Sequence, residues 1–286
     1  MNRLRCMPRF PYAARIAFAS AMIALGVIGL ALRDFAAVWG PLPAWAHART
    51  TLAVVYSLVP LVAGIALFFK RTAAAAALVL VAYVALWWIL FKVVPVFRAP
   101  LTELSWLDAG MYAMLLAGAW TLFADLGGRP FLGDARGVRM ARVLFALGLI
   151  PTGLSHFVYL PYTVPLIPAF FPFRQGWAYI TGACHLAAGL GVLVGVFPRL
   201  AAQLEALMLL LFTVIVWVPR VIAAPLTSAA MTMFAWSPEV LTKRARPSKL
   251  LEFSELSPWT IARRNARPSA FALRAIWIAS WSLVSP

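Results

Sequence analysis

The sequence predicts an all-α polytopic membrane protein, a helical bundle of about seven spans with an internal duplication of a three-to-four-helix unit. Three observations carry that expectation. First, 63% of the 286 residues are hydrophobic, 12% are charged, and the mean hydropathy is +0.87. Soluble domains are about 45–50% apolar and about 25% charged, so most of this surface needs lipid as its solvent. Second, several windows reach the ~20 mostly apolar residues that cross a bilayer. Third, those windows lack the alternating ten-residue pattern of a membrane β-barrel. Unpaired backbone groups are too costly in hydrocarbon, so the windows should be helices.

Taken in order, the expected spans are 13–33, 50–69, 72–94, 105–124, 139–160, 176–197 and 199–222. The first follows Arg3, Arg5, Arg9 and Arg15, as a signal peptide would. It ends in Arg33-Asp34-Phe35 instead of a small-residue cleavage site, so it reads as a retained helix. The third begins with an alanine run and ends at Trp87-Trp88.

The net charge of +16 would suit nucleic acid in a soluble chain. Here the basic residues lie between apolar windows and in the last 60 positions, as loops on an anionic membrane surface would, so no nucleic-acid partner is expected. The N-terminal arm, the 2–3 turn (Lys70, Arg71), the 4–5 loop (Arg129, Arg136, Arg139, Arg142) and Arg199 carry more basic charge than the other side. That other side has Arg33, Arg49, Lys92, Arg98, Arg174 and Arg220. The bias predicts a cytoplasmic N-terminus. Trp39, Trp45, Trp87, Trp88, Trp106 and Trp177 fall near the proposed outer boundary, where amphipathic rings settle.

The repeat is the most specific feature. Ala14-Arg15-Ile16-Ala17-Phe18-Ala19 matches Ala141-Arg142-Val143-Leu144-Phe145-Ala146, with Gly26 meeting Gly153 and Pro41 meeting Pro168. After a small shift, Leu61-Val62-Ala63-Gly64-Ile65 matches Leu186-Ala187-Ala188-Gly189-Leu190, and Lys70-Arg71 with its alanine run parallels Pro198-Arg199-Leu200-Ala201-Ala202. The expected organisation is a first repeat over 1–126, a second over 127–226, and a tail over 227–286. Nine serines fall in the tail against four before it, and it holds eight Lys and Arg residues from Lys243 to Arg274. It reads as poorly structured or as an aberrant reading frame standing where an eighth span belongs. Parallel repeats of this kind pack about an axis normal to the membrane.

Between the fifth and sixth spans, residues 160–173 hold Pro161, Pro165, Pro168 and Pro172 among apolar side chains. Proline lacks the N–H a helix interior needs, so an interfacial or re-entrant cap is expected.

Polar residues inside apolar spans are costly, which makes them candidates for function. His156, near the outer end of the fifth span, and His185, nine residues into the sixth, should differ in depth by roughly 7–8 Å at ~1.5 Å per residue. They would face one outer pocket, where a haem or metal with both as ligands is conceivable; the plainer reading is that neighbours such as Ser155 satisfy them. Glu205 in the seventh span suggests a proton- or quinone-coupled role, with pairing to Arg199 as the plainer expectation. Glu103 and Asp108 read as first-turn acids favoured by the helix dipole. Cys184 beside His185 would make a redox dyad, but adjacent helical residues point to different faces. Gly182, Ala183, Ala187, Ala188 and Gly189 form a small-residue face for close helix packing. No metal cluster, phosphate loop or hydrolase triad is apparent.

The second copy also resembles a known family. The segments Leu166-Ile167-Pro168-Ala169-Phe170-Phe171-Pro172, Tyr179 through Leu190 and Pro198-Arg199-Leu200-Ala201-Ala202 resemble DoxX and DoxX-like membrane proteins. The likeness covers 139–222 well and 13–97 more loosely, and it departs at His185, where many members carry Glu. It implies a small helical bundle in a bacterial inner membrane. Some relatives are tied to thiosulfate:quinone oxidoreduction or oxidative-stress complexes, which implies a quinone and a soluble oxidoreductase as partners. A non-enzymatic module for small-solute passage or scaffolding is the alternative.

Overall fold

A computed structural model describes residues 12–33, Phe35, Trp39, 49–127, 133–217 and Pro219. Among them helix is the regular secondary structure, without strands. The elements are α1 (Tyr12–Leu32), α2 (Arg49–Ala66), α3 (Ala73–Trp87), a π-helical segment (Trp88–Val93), α4 (Val94–Arg98) and α5 (Glu103–Asp125). They continue with α6 (Ala135–Val158), α7 (Leu160–Thr163), α8 (Arg174–Val194), α9 (Pro198–Phe212) and a second π-helical segment (Thr213–Trp217). Six stretches are long and apolar enough to cross a bilayer, and a seventh, Thr50–Ala66, is apolar but shorter. Large apolar side chains such as Val62, Leu86 and Val194 stay exposed on the helix exteriors, as a lipid environment requires. The protein is a multi-pass membrane protein, and each expected span corresponds to one of these helices. The tail and the eighth span lie outside the described residues.

The bundle follows from close helix crossings. α1 packs on α2, α6 on α8, and α5 joins the halves by packing on both α3 and α6. A Cβ on Gly26 would lie 2.5 Å from Leu61 Cβ and 2.7 Å from the Ser57 carbonyl oxygen. One on Gly153 would lie 2.7 Å from Leu186 Cγ and 2.8 Å from the Gly182 oxygen. Likewise Gly64 abuts the Ala19 oxygen at 2.9 Å and Gly189 abuts the Ala146 oxygen at 2.9 Å. The α1–α2 and α6–α8 crossings therefore use the same landmarks, Gly26 with Gly153 and Gly64 with Gly189, that align in the two sequence copies.

The turns explain themselves locally. Asp134 caps α6 by accepting from the Arg136 and Gly137 amides. Arg15 donates from Nε to the Leu67 carbonyl at 2.7 Å, tying α1 to the end of α2. The proline-rich connection between α6 and α8 leaves Phe170 and Phe173 exposed. It holds two one-turn helices, Leu160–Thr163 and the 3₁₀ turn Val164–Leu166, each with proline in its first turn, where no amide partner is lost. Pro168 is half-buried there and Pro172 is exposed.

Two expectations are corrected. Trp39 and Trp87 do not face headgroups; both are buried in a cluster of aromatic rings. Lys92 is not a loop charge, since it is 1% exposed and bonded to Asp108. Along the helix the buried positions run Leu80, Val84, Trp87 and then Lys92 and Val96. An α-helical step from Trp87 would select Phe91 instead. The wider π turn takes up one extra residue and rotates Lys92 inward.

Candidate functional site

Three helices of the second half build the site. On α8, the residues Ala178, Gly182, His185 and Gly189 recur at helical spacing and are all buried. Gly182 and Gly189 let α6 approach so closely that a Cβ at Gly182 would sit 2.7 Å from His156 Cβ. His156 is therefore level with Gly182, one turn from His185. That close approach overcomes the depth offset expected from counting residues, and the two imidazole rings meet with centroids 5.3 Å apart. α9 adds the buried stripe Ala202, Glu205 and Leu209.

His185 Nδ1 and Glu205 Oε1 are 2.6 Å apart, and both side chains are almost wholly removed from solvent (2% and 0% exposed). One proton lies between these atoms in either of two arrangements. Nδ1–H donates to a carboxylate, or a carboxyl O–H donates to neutral Nδ1. Separated charges in such a setting are expensive, while a hydrogen-bonded pair that shares its proton keeps the net charge low in both states. The second oxygen, Glu205 Oε2, is buried with no hydrogen-bond partner among the described residues.

The structure thus unites His156, His185 and Glu205. The expected Glu205–Arg199 contact is not formed; Arg199 is exposed on the first turn of α9 while Glu205 turns toward α8. Ser155 does not serve the histidines either, because its hydroxyl donates to the Thr152 carbonyl at 2.7 Å. Cys184 is exposed on the opposite face of α8, which removes it from the pocket and from any dyad with His185. Residue spacing alone gave no sign of the His185–Glu205 bond. A usable signal was present in periodicity, since each residue falls on the small or apolar inward stripe of its own helix.

No group of three or more His, Cys, Asp or Glu among the described residues is placed to hold a metal ion. The histidine pair does not suit a haem in this arrangement. The two rings touch each other, which leaves no room for a flat macrocycle between them.

A family model described as a domain of unknown function (DUF8561) matches residues 145–244. The matched segment holds all three site residues and runs beyond position 226, where the second repeat was expected to end. No curated protein and no solved structure matches the chain.

Proposed function

We propose that this chain is a DoxX-like component of a bacterial inner membrane, oriented with its N-terminus in the cytoplasm, whose second repeat exchanges protons during redox chemistry of a quinone or sulfur compound. The observation that carries this reading is the bond between His185 and Glu205 inside the bundle. A carboxyl and an imidazole at 2.6 Å can pass one proton without leaving an isolated charge in lipid. His156, in ring contact with His185, extends the polar path toward the cap. Quinone reduction takes up two electrons and two protons. The site residues would supply protons, and a soluble oxidoreductase or a sulfur donor at the membrane surface would supply electrons.

Purified protein in liposomes tests this. Adding a lipid-soluble quinone should quench the intrinsic tryptophan fluorescence saturably, and Glu205→Gln or His185→Asn should weaken that response at least tenfold. A wild-type protein with no saturable response sinks the redox reading. The glycine crossings favour a second reading, a module that carries a small solute or scaffolds a complex. That reading predicts that His185→Ala leaves function intact while bulky residues at Gly182 or Gly189 abolish folding.

A further inference from the structure

The first repeat lacks this pair, with Pro60 and Ala77 at the matching positions, but it encloses a polar centre of its own. Lys92 Nζ, on the π-helical segment, lies 2.8 Å from Asp108 Oδ2 on α5 and 4.6 Å from the centroid of the Tyr112 ring. Around it the aromatic rings form a continuous wall. Tyr56 stacks on Tyr83 at 4.2 Å, Trp87 lies 4.5 Å from Tyr56, and Trp39 meets Tyr56, Tyr83, Trp87 and Tyr112 within 6.0 Å.

Four polar atoms in this wall are buried and have only one another as near partners: the Tyr56 hydroxyl pairs with that of Tyr83, and Trp87 Nε1 pairs with the Tyr112 hydroxyl, each pair looser than a standard hydrogen bond. They converge, Tyr56 facing Tyr83, and Tyr112 facing Trp87 and Asp108. Buried polar groups are ordinarily well hydrogen-bonded, and native proteins rarely gather several loosely bonded ones in one place. Each pair leaves one O–H donor over, that of Tyr56 or Tyr83 and that of Tyr112, and Tyr112 stands against the Lys92 ammonium. Such a set suits an acceptor, and beside Lys92 an anionic one. Asp108 is the anion now in contact with Lys92, and its side chain is 31% exposed against 1% for Lys92. The carboxylate therefore reaches the surface of the bundle while the ammonium does not. A π segment commonly marks a functional position, and here it is what brings Lys92 inside.

We propose that Lys92 and the surrounding Tyr112, Trp87, Tyr56 and Tyr83 form a second binding site, for a small carboxylate with an apolar body, and that Asp108 holds the anion's place at rest. An incoming carboxylate would displace Asp108 from Lys92 and accept from the Tyr112 hydroxyl, and its apolar body would lie against the rings. Because an occupied resting state lowers apparent affinity by the fraction that is competent, removing the charge of Asp108 should strengthen binding.

The test uses the full chain in nanodiscs, with calorimetric titration of acetate, hexanoate and benzoate and with benzamide as the neutral control. Benzoate or hexanoate should bind the wild type and should bind Asp108→Asn about tenfold more tightly, while Lys92→Met should not bind and benzamide should bind none of the three. A gain of affinity cannot come from misfolding, so Asp108→Asn keeps the idea falsifiable even where Lys92→Met folds poorly. The proposal is overturned if none of the three carboxylates binds the wild type or Asp108→Asn. It is equally overturned if folded Asp108→Asn binds no more tightly than the wild type, or if folded Lys92→Met binds as the wild type does.

Discussion

His185 and Glu205 are twenty residues apart on helices joined by a tight turn, and each is the one ionisable group on the buried stripe of its own helix. Burial makes the pair interdependent, because removing one partner strands the other. Replacing Glu205 by Leu leaves the imidazole without its acceptor, a loss of about 1–3 kcal/mol for a buried group, and His185→Leu strands the carboxyl in the same way. The double variant strands neither, so its cost should fall below the sum of the single costs. Reversible unfolding in mixed micelles measures all three. Strict additivity would mean that the 2.6 Å contact carries no coupling. At this scale the sequence was half legible. Lipid makes any inward polar residue conspicuous, so both residues could be picked out as candidates. Their bond could not, because it depends on the rotation of α9 about its axis, which turns Glu205 toward α8 and leaves Arg199 exposed.

Elements meet where side chains are missing. Gly153 and Gly182 place the α6 and α8 backbones in contact, with each glycine's absent Cβ within 2.9 Å of the other's carbonyl oxygen. Gly182→Ala must therefore push the helices apart and carry His156 away from His185. Overpacking of this kind costs about 1–3 kcal/mol, and the variant should also lose the quinone response. Gly195→Ala is the control. Its φ is +77° with open space around it, so it should cost only the backbone strain of about 1–2 kcal/mol and keep the response. A Gly182→Ala protein with wild-type thermal unfolding would contradict the packing account. The crossings were foreseeable, because Gly26, Gly64, Gly153 and Gly189 recur in order across the two copies. The π turn was not. Its single extra residue is invisible to any fixed helical period, so Lys92 read as a loop charge and Asp108 as a first-turn acid.

Over the whole molecule, two similar crossings are bridged by α5, whose spanning window is 78% buried. Composition and window length were enough to identify this architecture, since lipid leaves the backbone so few options. The chemistry of each half was not legible, because the copies keep the same glycines and differ in what fills the inward stripes. The second half places a histidine–carboxyl pair there, and the first places aromatic rings around Lys92. The proposed function requires the His185–Glu205 pair to exchange its proton as a quinone changes redox state. Infrared difference spectroscopy of the protein in lipid, recorded between the quinone and quinol states, tests it most directly. A carboxyl band that shifts in heavy water and disappears in Glu205→Gln is the expected result. Identical difference spectra from the wild type and Glu205→Gln would contradict it.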